Sequence, residues 1–236
     1  MSKMYKSKDR SRSEREKLRE MNFGEKLSYI WAYYNYQIVG VVIAIAVIIG
    51  VTHSCSTRQD IGLFIAWSAS YLEFEQEDAL KDVLNEHVLD SSPKEAAEVS
   101  LFIVNDDDPT FTLNYLNRMV AMLTAGTIDV FILDEDTMSD YSRSEFIWSL
   151  DVILNDIKAS DPALYEIISN ETVSIPFGLD ENNQIIEIMG VRITDSPLVN
   201  RLGFRFNDDA FFCMAISTQR LDRVRETLKL FFAPIP

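Results

Sequence analysis

The side chains of this 236-residue chain best equipped for chemistry are carboxylates, and they come in runs: Asp106-Asp107-Asp108 and Asp134-Glu135-Asp136. Carboxylate oxygens hold Ca²⁺, attract cationic solutes and can act as acid or base. If the fold sets Trp67, Ser68 and Tyr71 beside them, the implied chemistry is recognition. A cation could sit over a ring face, a sugar could stack on Trp67, or Ca²⁺ could occupy an oxygen cage. The candidate ligand-binding residues are therefore Trp67, Ser68, Tyr71, Asp106, Asp134 and Glu135. The same residues also have a purely structural reading. Asp108 and Ser70 would then cap helices, Trp67 would fill the core, and the remaining acids would be solvated in loops.

Catalytic constellations are not legible. The run Asp106–Asp108 lacks the alternating acids, the Gly and the distal Glu of a Ca²⁺-binding helix–loop–helix. The two histidines, His53 and His87, have no partner at metal-ligand spacing, so no metal site is expected. There is no Gly-x-Ser-x-Gly elbow, no phosphate loop and no Cys/His nucleophile arrangement. Carboxylate pairs are too common in so acidic a chain to count as evidence of acid–base catalysis. No catalytic residue and no cofactor is expected, and the chain reads as a non-enzyme. Cys55 lies just past a hydrophobic stretch and Cys213 inside an apolar run, Ala210–Ile216, that reads as a buried strand. Two free thiols are expected.

The elements that must position the candidate residues alternate in type. Ile61–Trp67 is apolar enough for a buried strand. Ser70-Tyr71-Leu72-Glu73 has the form of a capping box opening a helix whose apolar face is Ala79, Leu80, Val83, Leu84 and Val88. Val99–Val104 is a second strand, and Asp108-Pro109 opens a helix that Gly126 ends. Ile128–Leu133 is a third strand. Strand–helix–strand–helix–strand with apolar strands implies parallel pairing by right-handed crossovers, half of a doubly wound sheet. In such a sheet ligands sit beyond the carboxyl ends of the strands, which is where Trp67, Asp106 and Asp134 fall. Further on, short helices are expected over Asp134–Tyr141 and in Phe146–Ile157, another from Asp161-Pro162 through Ile168, and a brief one at Ser196-Pro197. Strands are expected at Val173–Phe177, Ile185–Ile193 and Ala210–Ser217, and a last helix at Arg220–Phe232.

Charge is segregated along the chain. Residues 1–30 carry a net +4, residues 31–51 contain no Asp, Glu, Lys or Arg, and residues 52–236 carry −19. A body that acidic repels nucleic acid, so no nucleic-acid partner is expected. Ile38–Val51 contains only Ile, Val, Ala and Gly. Extended from Trp31 to Thr52 it would reach roughly 33 Å as a helix, enough for the hydrocarbon core. Trp31, Tyr33, Tyr34 and Tyr36 form an aromatic collar suited to the membrane interface, and the Lys/Arg excess before the span puts the N-terminus inside. The rival readings fit less well. A cleaved signal lacks the short n-region and small-residue cleavage site, a lipoprotein signal at Cys55 lacks its small-apolar triplet, and a buried core helix leaves the collar and the charge asymmetry unexplained. The organisation expected is a basic cytoplasmic arm over 1–21, a juxtamembrane and transmembrane helix over 22–52 with lipid contact through 31–52, a linker over 53–59, and an extracellular α/β domain over 60–236.

Part of that domain resembles the bacterial extracellular solute-binding proteins of the type 2 periplasmic-binding fold. The resemblance is carried by Thr124-Ala125-Gly126-Thr127-Ile128-Asp129-Val130-Phe131-Ile132-Leu133-Asp134. Phe146, Leu150 and Asp151 follow it, and Phe211–Ser217 with Thr218–Phe232 make the closing strand, polar turn and helix. Residues 22–40, with Glu25-Lys26-Leu27, Tyr29-Ile30-Trp31 and Tyr33-Tyr34, resemble the start of uncharacterised single-pass proteins of Gram-positive-type bacteria. The resemblance implies a periplasmic-binding-like domain with a mostly parallel sheet, reduced in size because residues 60–236 are too few for two full lobes. It also implies a tethered, non-catalytic domain that binds a small solute or a partner at the cell surface. The alternative is a structural or assembly subunit of a membrane complex, with a membrane-protein partner and no small-molecule ligand.

Overall fold

The computed structural model of the chain describes residues 22–57, 59–70, 72–90, 94–102, 109–177 and 185–233. The basic arm, Tyr71 and the run Asp106–Asp108 lie outside the described residues, as do the side chains of Tyr33, His53 and Cys55. The described chain divides into two compact units that meet between Arg58 and Gln59.

The described residues of the first unit form one helix, α1 (Phe23–Thr57). It runs five residues beyond Thr52, into the stretch expected as linker. Its apolar span Tyr34–Thr52 is long enough to cross a bilayer and none of it is buried by protein. Val39, Val42, Ile45, Ile48 and Ile49 are all more than 40% exposed, a surface that water alone would not stabilise. Trp31, Tyr34 and Tyr36 are exposed beside it. A membrane anchor and a signal sequence would both satisfy this helix.

The second unit is a three-layer α/β/α domain. Its elements in order are β1 (Asp60–Trp67), α2 (Phe74–His87), β2 (Glu95–Leu101), α3 (Pro109–Thr124), β3 (Val130–Leu133), α4 (Glu135–Arg143), β4 (Ile147–Trp148), α5 (Asp151–Ser160), α6 (Pro162–Ser169), β5 (Thr172–Phe177), β6 (Ile185–Arg192), α7 (Pro197–Leu202), β7 (Phe211–Ala215) and α8 (Leu221–Phe232). The strands form one seven-stranded sheet in the order β2-β1-β3-β7-β6-β5, with β4 also paired to β7.

Period-two alternation sorts the side chains to the two faces. Leu63, Ile65 and Trp67 of β1, Val130 and Ile132 of β3, and Phe212 and Met214 of β7 point to one core, which α2, α5, α6, α7 and α8 cover. Phe64 and Ala66, Phe131 and Leu133, and Phe211, Cys213 and Ala215 point to the other, which α3 and α4 cover. Helices α2 and α3 thus lie on opposite faces. Two crossovers of one hand require this when the chain moves outward from β1 to β2 and then back past β1 to β3.

The expected mostly parallel sheet is corrected to a mixed one. β1 pairs in parallel with β2 and β3, but β7 runs antiparallel to β3, β4 and β6, and β5 antiparallel to β6. For β5 and β6 the reason is connection length. A parallel pair needs a crossover of a dozen or more residues, and β5 and β6 are separated by only residues 178–184.

Three local expectations also shift. The second strand, expected at Val99–Val104, is Glu95–Leu101, with Glu95 already paired to Asp60. The capping box of α2 is Glu73 with Gln76, one turn later than Ser70 with Glu73, and the Ser70 hydroxyl instead accepts from Trp67 Nε1 at 3.4 Å. The helical reading of Phe146–Ile157 splits into β4 and α5, because Ile147 and Trp148 pair with Ala215 and Met214 of β7. Gly126 does end α3, at φ +64, a left-handed conformation that suits glycine.

Candidate functional site

The carboxyl ends of β1 and β3 meet where the chain reverses direction across the sheet, the crevice in which open α/β sheets hold ligands. The fold does bring Trp67, Ser68 and Asp134 to this point, since Trp67 and Ile132 are register partners. Around Trp67 the described residues nevertheless fill this crevice. The Ser68 and Ala69 amides both donate to the Ile132 carbonyl, at 2.8 and 3.1 Å, sewing the two strand ends together. Trp67 has no exposed surface. Phe206 stacks on it at 5.6 Å between ring centroids and 17° between planes, and Phe204 lies against it at 5.0 Å, both from the loop that follows α7. The Gln76 amide donates to the Gly203 carbonyl at 2.9 Å and ties that loop to α2.

The acids at this end have local duties. Asp134 is the N-cap of α4 and accepts from the Thr137 amide at 2.8 Å. Glu135 is exposed in the first turn of α4, where a negative charge suits the helix dipole. Ser68 is half-buried at the strand end. Tyr71 and Asp106 lie outside the described residues. The platform that Trp67 was expected to offer is thus already taken by the chain's own rings. The rim acids that the structure describes are a helix cap, Asp134, and two solvated first-turn residues, Glu135 and Asp136.

The amino ends of the same strands carry a denser polar cluster. Asp129, just before β3, is fully buried. Its carboxylate accepts from the Phe64 amide at 2.9 Å, from the Thr218 hydroxyl at 2.6 Å and from the Arg220 guanidinium. Burial pushes the Asp129 carboxyl above its ordinary value, and these three donors pull it only part of the way back. Arg223, one turn further on, donates to the Gly62 carbonyl and to Glu95. A Cβ at Gly62 would stand 2.9 Å from the Glu95 Cβ and 3.1 Å from the Arg223 guanidinium, so the close approach needs glycine. Sequence reasoning missed this cluster. One signal was present: Asp129 stands between Ile128 and Val130 in a buried run, and a buried acid needs donors. Which of the chain's cations would supply them is not written locally.

Two depressions lie at this end. A groove of about 210 Å³ is lined by Trp148, Val152, Met214, Ala215, Ile216, Thr218 and Leu221. That is smaller than the roughly 300–1,000 Å³ of ordinary ligand pockets. A wider basin of about 610 Å³ is lined by Glu95, Asp156 and residues 219–223, and its guanidiniums are already held by Asp129 and Glu95.

The reactive groups present are quiet ones. The Cys213 thiol is free and buried, and burial pushes it well above its ordinary value, which keeps it protonated. The Tyr141 phenol is pushed up to about 12 by burial and then by the Asp134 charge, and it donates to the Met119 sulfur. His87 is exposed on α2. Among the described residues no group of three or more His, Cys, Asp or Glu side chains is placed to hold a metal ion. Comparison of the chain with protein-family models, with curated proteins and with solved structures returns no match.

Proposed function

We propose that the chain is a membrane-anchored, non-catalytic assembly subunit. Its α/β domain would lie outside the cell and engage another protein, and would hold no small solute. The observation that carries this reading is the filled crevice: the one place where a sheet of this topology would receive a ligand is occupied by Phe204 and Phe206 against Trp67. A solute-binding type of domain whose cleft has been filled retains a rigid, exposed surface, and such a surface serves protein docking. The exposed apolar helix α1 and the switch from net +4 to net −19 across it support an uncleaved anchor with its N-terminus inside.

The test uses the full chain in native membranes. Chemical cross-linking should capture a stoichiometric protein partner whose yield does not change on adding sugars, amino acids, polyamines or Ca²⁺. A cooperative rise in the domain's melting temperature with any of those solutes would sink the proposal. Protease added to intact protoplasts should remove residues 60–236, and protection of that segment would overturn the orientation.

A further inference from the structure

Helix α3 (Pro109–Thr124) carries two apolar faces, and only one of them is used. Met119 and Leu123, with half-buried Tyr115 and Met122, pack against the sheet on the Phe131 side. On the other side Leu113, Leu116 and Val120 are exposed by 59, 38 and 44%. Their spacing, i, i+3 and i+7, is that of the narrow seam by which one helix grips another. A helix that lies on lipid would carry aromatic residues and several cations on this side. Among the described residues of α3, the other exposed ones are Asn114, Asn117, Arg118, Ala121 and Thr124, with one cation and no aromatic ring.

Charge selects the occupant. In a body of net −19, residues 109–128 form the longest stretch without an Asp or Glu, twenty residues in all, with Arg118 as their one cation. Arg118 is turned toward the Phe102 ring, its guanidinium carbon 5.8 Å from the ring centroid. Two copies of so acidic a domain repel each other through most surfaces, whereas α3 brings no carboxylate of its own to such a contact. The spacing is also self-complementary. In an antiparallel pair, Leu113 of one copy falls opposite Val120 of the other, which puts the two-fold axis between positions 116 and 117 and the two Leu116 side chains on either side of it, as an isologous contact allows.

We propose that the exposed seam of α3 is a homodimer interface, formed by antiparallel pairing with α3 of a second copy. The seam is short, so the contact belongs to the weak, transient class. It becomes populated where copies are concentrated, as on a shared membrane. The proposal stands whether or not the chain also binds a different protein.

The test uses full-length chain reconstituted into lipid vesicles at a high protein-to-lipid ratio, in a Cys55→Ser background. Leu116→Cys should give a disulfide-linked homodimer on mild oxidation. Ile167→Cys, an exposed apolar position on α6, should not. Adding Val120→Arg or Leu113→Arg to the Leu116→Cys chain should abolish the dimer band, with far-ultraviolet circular dichroism showing each variant folded. Equal bands for the two cysteine variants, a band that survives both arginine variants, or no band for Leu116→Cys would each overturn the interface. So would capture of a different protein, in place of a second copy, by the thiol of the Leu116→Cys chain in cells.

Discussion

A carboxylate cut off from water must be either well paired or protonated, and Asp129 shows both tendencies. The amide of Phe64, the hydroxyl of Thr218 and the guanidinium of Arg220 converge on it and join β1, β3 and the turn before α8 through one side chain. Asp129→Ala would leave the buried Phe64 amide without its partner and release the half-buried Thr218 and Arg220, and should cost about 3 kcal/mol, read as a lower urea midpoint at an unchanged slope. The pH dependence has a definite sign. The Asp129 carboxyl is raised in the fold, so the stability it contributes is complete below the ordinary carboxyl value of 3.8 and is lost as pH rises through the folded value. The stability of the parent chain minus that of Asp129→Asn should therefore grow on acidification toward that value. A difference that shrinks instead would mean that Arg220, and not burial, governs the proton. Trp67 makes a simpler case. With no exposed surface and two phenylalanine rings against it, Trp67→Ala should cost about 3–5 kcal/mol. Trp67→Phe should lose much less by the same measurement. Sequence showed Trp67 at a strand end and left platform and core filling as open options. The choice depended on Phe206, 139 residues away along the chain.

At the level of elements, most starts and stops follow from local chemistry. Asp161 before Pro162 opens α6, with the Asp161 carboxylate accepting from the Leu164 amide at 3.0 Å. Asp134 opens α4 in the same way. The cap reading of Asp134 makes a testable distinction from the ligand reading. Asp134→Ala should cost about 1 kcal/mol, while Asp134→Ser, which can also cap, should restore most of it. A requirement for a charged side chain at 134 in partner or solute binding would contradict the cap reading. The elements that resisted reading are those whose identity lies in a distant neighbour. Ile147 and Trp148 have the apolar content of a helix start, yet they pair with Ala215 and Met214 and become β4. Ser70 has the residue type of a cap, yet Glu73 and Gln76 form the reciprocal pair that opens α2.

For the molecule as a whole, charge is the strongest constraint. The domain, net −20 over residues 59–236, folds against its own repulsion, and its clearest internal relief is the set of arginines on or beside α8: Arg220 with Asp129, Arg223 with Glu95, and Arg225 with Asp156. Raising ionic strength from about 0.01 M to about 0.15 M shortens the screening length to roughly 8 Å and should raise the melting temperature of the domain. A fall would show that these pairs outweigh the general repulsion. The charge pattern is also what makes α3 distinctive. An apolar seam is ordinary, but one set in twenty residues without an acid is the face most open to self-association.

By itself, the sequence determined the apolar helix and the charge step across it, because hydropathy and charge are sums over neighbouring residues and need no fold. It also determined that three strands come first and pair in parallel, and most helix boundaries, since period, caps and proline act within a turn or two; the second strand it placed four residues too late. Only the tertiary structure decided the rest: that β4 to β7 complete the sheet in antiparallel fashion, that Asp129 finds Arg220, and that the crevice beside Trp67 is filled by its own chain. Each of these is a contact between residues tens to more than a hundred positions apart. What a side chain does at such a distance is fixed by packing, which the local sequence does not encode.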